Sequence, residues 1–153
     1  MLKQKITQAL TTYAGALLWV AHYNLSISLY LKSKGYDKLS THIRSLYQKH
    51  LSQSVEIYDY IAKHGTIAQI SDMVDIPVTF DTPDEAVERS LVQTLRLTDA
   101  LESLMDILLQ SKDHTTYVTF QYLLREQFEE EVLLSKLIDV SKKIDIKRAK
   151  TKK

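Results

Sequence analysis

The sequence predicts an all-α fold, a bundle of four long helices with one long crossover between the second and the third. Three observations predict it. Only three Gly and two Pro occur in 153 residues, too few turns for a β-sandwich or barrel. Apolar residues recur at alternating spacings of three and four through four separate stretches, the signature of one buried helix face. A fifth stretch, residues 66–81, breaks that pattern and is longer than an ordinary connection.

The first helical pattern runs from about Lys3 to Lys32 through Leu10, Tyr13, Leu17, Val20, Asn24, Ile27 and Leu31. It stops at Lys34-Gly35, where glycine can take the left-handed conformation that closes a helix, and Asp37 is read as the cap of the next one. The second stripe is Leu39, Ile43, Leu46, His50, Gln53, Ile57 and Ile61, ending at His64-Gly65. The short loop between them makes the two helices antiparallel neighbours, each roughly 40 Å long at ~1.5 Å per residue. Pro77 and the β-branched residues Val74, Ile76, Val78 and Thr79 then predict an extended crossover. Thr82-Pro83-Asp84-Glu85 is a capping box with Pro at the first helical position, followed by Val87, Leu91, Thr94, Thr98, Leu101, Met105 and Leu108. After a break at Ser111-Lys112-Asp113, with Asp113 as N-cap, one further helix is expected through Phe120, Leu123, Gln127, Glu130, Leu134 and Ile138. Two short connections and one long one give an up-down-down-up bundle.

One domain is expected, with the bundle in residues 1–141 and a basic tail in 142–153 that frays because its charges repel. The tail carries a net +6, from Lys142, Lys143, Lys147, Arg148, Lys150, Lys152 and Lys153 against Asp145, and the body is −5. No cysteine is present, so disulfides, thiolate metal sites and thiol catalysis are excluded. The apolar stretch from Ala14 to Tyr30 is interrupted by His22 and Asn24 and does not read as a membrane span, and no signal peptide is recognisable, so a cytoplasmic protein is expected. No nucleotide loop, Ser-His-Asp pattern or zinc-protease motif occurs.

All four stripes are interrupted by polar residues near mid-length: Asn24 or a neighbour, His50 with Gln53, Thr94, and Gln127 with Glu130. With the helices aligned these form one buried layer, which is where di-iron carboxylate bundles build their site. Iron oxidation there needs several carboxylates to offset two clustered cations. No Glu or Asp occurs between Met1 and Tyr36, so the first helix supplies none. His50 could bind one metal with Gln53, Gln127 and Glu130 as weak partners. The competing explanation is that these groups satisfy one another's hydrogen bonds, as buried polar groups generally must.

Three motifs in order, Phe80-Asp81-Thr82-Pro83-Asp84-Glu85-Ala86, Ser111-Lys112-Asp113-His114 and Arg125-Glu126-Gln127-Phe128-Glu129-Glu130-Glu131, make the chain resemble a bacterial-type non-haem ferritin over essentially its whole ordered length. The resemblance implies a ferritin-like bundle whose short fifth helix is absent or truncated. In that family the first helix supplies a bridging Glu, the second a Glu-x-x-His, the third a Glu, and the fourth a Glu-Gln pair followed by further carboxylates. Here the corresponding positions are Leu17 or a neighbour, His50-Leu51-Ser52-Gln53, and Thr94. Only Glu126, Gln127, Glu129 and Glu130 match, so the resemblance implies a degenerate oxidation centre.

The candidate metal-binding residues are therefore Glu126, Glu129, Glu130, Gln127 and His50, with iron at a weak or non-classical site. Spacings of three and four put Glu126, Glu129 and Glu130 on one side of the fourth helix, where the resemblance implies iron gathering and a solvated acidic face is the plainer alternative. Tyr117 and Phe120 fall where many ferritins line a channel with acidic residues, and ordinary packing explains them equally well. Ser52 stands where a bacterioferritin carries its Met, so no haem is expected. The resemblance further implies a homo-oligomeric cage, of 24 subunits, for intracellular iron storage or sequestration. Two alternatives are a shell that stores no iron and binds DNA or another polyanion through its basic tail, and an inactive partner in a mixed cage. The tail lacks the aromatic residues that would stack on bases, which favours a solvated role.

Overall fold

The computed structural model describes residues 2–151, all helical apart from the connections. The helices are α1 (Gln4–Ser33), α2 (Asp37–Lys63), α3 (Pro83–Gln110), α4 (His114–Phe120) and α5 (Tyr122–Thr151). No strand occurs among the described residues, and no helix there is long and apolar enough to cross a membrane.

The helix ends follow from local chemistry. Gly35 and Gly65 both sit at φ +84°, and the chain closes α1 and α2 in the same way. Tyr36 N–H donates to Leu31 O at 2.9 Å and Gly35 N–H to Lys32 O at 3.0 Å, the paired bonds of a left-handed helix stop. Thr82 accepts from Glu85 N–H at 3.2 Å and Glu85 accepts from the backbone N–H of Asp81 at 3.0 Å, so the expected capping box forms one residue further out on its return bond.

Two details differ from the sequence reading at these ends. Asp37 is the first residue of α2 and Tyr36 occupies the cap without a side-chain bond; the carboxylate acts on the helix dipole instead. The single fourth helix is divided at Gln121, where Leu124 N–H donates to Gln121 O in one tightened turn. Thr119 just before it bonds back to Thr115 O at 2.7 Å, a competition with the helical ladder that bends helices. Asp113 caps α4 as expected, accepting from Thr116 N–H at 3.1 Å.

The apolar stripes meet in two separate clusters. One joins Leu10, Tyr13 and Leu17 of α1, Ile57 and Ile61 of α2, Leu101 and Leu108 of α3, and Phe120 and Leu123. The other joins Ile27 and Leu31, Leu39 and Ile43, Ala86 and Val87, and Leu134 and Leu137. The early half of α1 thus lies with the late halves of α2 and α3 and the early part of α5, which is the up-down-down-up order. The crossover runs beside α1, held where Trp19 Nε1–H donates to Val74 O at 2.8 Å and where Ser26 bonds Pro77 O. At Gly15 a Cβ would meet Ser71 Oγ at 2.8 Å, so a larger residue there would require that hydroxyl to rotate away.

The basic segment begins as a continuation of α5. Helix α5 continues through Thr151, with Ile144 packed against the second cluster and Lys142 3.3 Å from Glu88. Straight-chain lysines are good helix formers, and Ile144 with the Lys142–Glu88 pair ties the start of the segment to the bundle. Lys152 and Lys153 lie outside the described residues.

Candidate functional site

Between the two apolar clusters lies the polar layer. Asn24, His50, Ser90, Thr94, Gln127 and Glu130 are all at most 1% exposed, and Gln53 is nearly so. All four long helices contribute, which bears out the alignment inferred from the interrupted stripes.

The bonds run in a chain. Ser90 Oγ–H donates to Asn24 Oδ1 at 2.6 Å, which turns the amide nitrogen of Asn24 toward His50 Nδ1, 3.4 Å away. Nδ1 is therefore the acceptor and Nε2 carries the proton, which it donates to Glu130 Oε1 at 2.7 Å. Thr94 Oγ1–H donates to the other oxygen, Oε2, at 2.8 Å. Lys49 reaches in from the edge of α2 and places its Nζ 3.0 Å from Oε1, with Glu126 3.8 Å away on its outer side. Both oxygens of Glu130 are thus engaged, by Lys49, His50 and Thr94.

Burial alone would raise the Glu130 carboxyl, but His50 and Lys49 beside it outweigh that and hold it at about 2. The charge is consequently permanent at neutral pH, with Lys49 as its counter-ion. One turn along, Gln127 Nε2–H donates to Thr94 O at 3.2 Å and Thr98 Oγ1 at 3.1 Å, and Thr98 in turn donates to Glu131 at 2.7 Å. The facing contacts Glu56–Tyr122 and His50–Glu130 run in opposite directions on α2 and α5, so Gln53 and Gln127 share the next level. Their side-chain oxygens are buried without a partner, as is the hydroxyl of Tyr13. Burial raises the Tyr13 phenol, and the nearby Glu130 and Tyr122 raise it further.

Of the residues singled out from the sequence, the structure joins His50 and Glu130 directly and brings Gln127 and Glu126 alongside. Glu129 does not join them; it points to solvent. Lys49 and Ser90 were not anticipated. Ser90 had a readable signal, one helical turn before Thr94 on the same face. Lys49 had none, because its pairing depends on the register between α2 and α5.

The arrangement does not fit a clustered metal centre. Among the described residues no group of three or more His, Cys, Asp or Glu side chains could hold a metal ion. The imidazole nitrogen facing the carboxylate is a donor rather than a lone pair, and Glu130, the carboxylate buried in this layer, is already paired with Lys49.

Comparison with known proteins accords with this geometry in fold. The ferritin family, described as a ferritin-like domain, matches residues 7–144. A bacterial non-heme ferritin of Bacteroides fragilis (strain 638R) is 26% identical over 143 residues, covering 94% of this chain and 90% of that one. The solved ferritin of Chlorobium tepidum superposes with a TM-score of 0.87 at 27% identity, over 95% of this chain and 89% of its own. An open pore ferritin from the archaeon Archaeoglobus fulgidus shares the fold at TM-score 0.85 and 24% identity, over 91% and 86% of the two chains.

Proposed function

The chain belongs to the ferritin family, and from that premise we propose that it is a cytoplasmic cage subunit that stores or sequesters iron without the usual two-iron oxidation centre. Iron is its cargo. One observation carries the reading: the layer where such a centre would lie contains a single carboxylate, Glu130, bound by Lys49, His50 and Thr94.

Two irons held ~3.5–4 Å apart need several bridging anionic oxygens, and beside Glu130 the layer holds only the uncharged polar side chains Asn24, Gln53, Ser90, Thr94 and Gln127 together with His50. Iron would instead be gathered by the more accessible carboxylates Glu126 and Glu129 of α5. Hard oxygen donors of that kind suit ferric mineral nucleation, which requires charge density rather than a defined two-metal geometry. Self-assembly into a closed shell, of 24 subunits, supplies the enclosed volume in this reading.

Anaerobic loading with Fe(II), followed by air, tests it. Slow oxidation without a saturable phase, together with growth of an iron core inside assembled particles, is the expected result. A fast phase that saturates at about two irons per subunit would overturn the lost centre. Particles that never acquire a core would overturn storage.

A further inference from the structure

We propose that Lys49 is a tethered counter-cation that shuts the polar layer against divalent metal ions. The proposal builds on the absence of a two-iron centre proposed above and adds the residue that enforces it.

A buried carboxylate must be compensated, and the compensation can come from a metal or from the protein. Here it comes from the protein. Nζ of Lys49 lies 3.0 Å from Glu130 Oε1, and the Glu130 side chain is fully buried, whereas that of Lys49 is 28% exposed. The lysine therefore enters from the outside, with its stem along α2 and its ammonium between Glu126 and Glu130. A divalent ion competing for Glu130 would have to displace that ammonium or share the carboxylate with it.

The rest of the layer is less hostile than this one contact. The side-chain oxygens of Gln53 and Gln127 are buried, unpartnered and on the same level, one turn from His50 and Glu130. They are neutral hard donors, of the kind a single Mn(II), Fe(II) or Co(II) accepts beside a carboxylate. His50 could contribute Nε2 once its proton moved to Nδ1, which requires the Ser90–Asn24 pair to reverse its hydrogen bonds. What keeps the layer closed is thus chiefly the lysine, a selectivity residue with no part in any reaction.

Co(II), which does not oxidise in air under these conditions, is a suitable probe, titrated by calorimetry and visible absorbance into the assembled full chain. Binding to surface carboxylates is separated by repeating each titration with Glu130→Gln. In the natural sequence, Glu130→Gln should leave the Co(II) isotherm unchanged; loss of one equivalent per subunit would overturn the proposal. In Lys49→Met, about one new equivalent should appear, at least ~10-fold tighter than any Glu130-dependent binding in the natural sequence, and Glu130→Gln should remove it. A folded Lys49→Met that gains nothing also overturns the proposal, and Lys49→Gln serves if Met prevents assembly. Rapid two-iron oxidation by the natural sequence would instead refute the lost centre, a separate readout from either Co(II) result.

Discussion

Replacing Glu130 by Gln should cost stability that depends on pH in a defined way. A carboxyl held at about 2 in the folded chain, against an ordinary 4.5, corresponds to about 3 kcal/mol of stabilisation at neutral pH. Gln keeps the shape and can still accept from His50, but it carries no charge for Lys49 to neutralise. Because the folded value lies below the unfolded one, the unfolded chain takes up the proton first as the solution is acidified. The contribution is therefore complete above about 4.5 and is lost as pH falls toward about 2. Over that window the natural sequence should lose up to about 1.4 kcal/mol per pH unit from this one group.

Urea denaturation followed by circular dichroism at a fixed subunit concentration, at several pH values from 7 to 2.5, measures the difference directly. The gap between the natural chain and Glu130→Gln should be about 3 kcal/mol at pH 7 and should close on acidification. A gap that stays constant from pH 6 to pH 2.5 would show that Glu130 stabilises through packing and hydrogen bonding alone, and the charge argument would fail. A gap near zero at pH 7 would show that water rather than Lys49 compensates the carboxylate.

Two smaller substitutions check the helix ends. Thr82→Ala removes the oxygen that accepts from Glu85 N–H and should destabilise the fold by ~1 kcal/mol, read from the same denaturation curves. Lys112 closes α3 at φ +56°, with its N–H on Leu109 O and that of Asp113 on Leu108 O, a position that glycine takes without steric cost. Lys112→Gly should therefore stabilise by up to ~1 kcal/mol, and a loss of stability would show that the lysine side chain is itself engaged there.

How much of this was legible in the sequence depended on distance along the chain. The stripes, the two glycine stops and the capping box are local, and each was readable because periodicity and cap chemistry act within a few residues. The polar layer was also readable, as gaps in four stripes, since a buried position that is not apolar stands out. Lys49 was not. It sits beside His50 on α2, where a lysine ordinarily faces solvent, and only the α2–α5 register turns its long stem toward Glu126 and Glu130. The break at Gln121 was hidden for another reason: neither Gly nor Pro marks it, and Gln121 keeps right-handed helical angles. In the C-terminal segment the charge pattern argued for fraying, while Ile144 and the Lys142–Glu88 pair anchor its start to the bundle.

The charge count explains why this polar layer need not be an unstable core. A two-metal site with several buried carboxylates relies on its cations for charge compensation; once the metals are removed, the carboxylates must take up protons or admit water. Here the layer carries one buried carboxylate with an ammonium beside it, and the groups around them complete most of each other's hydrogen bonds. The pair is already neutral without metal. A divalent ion brought to ~4 Å from the Lys49 ammonium would meet a repulsion of roughly 8 kcal/mol at an effective dielectric of ~20. That is comparable to the whole stability of many domains, so a metal enters only if the lysine leaves. Lys49 has that freedom, because its ammonium also touches Glu126 near the surface, and a short swing would keep one of its two partners. Substituting Glu126 with Gln should therefore hold Lys49 more firmly on Glu130, whereas substituting Lys49 removes the counter-charge altogether.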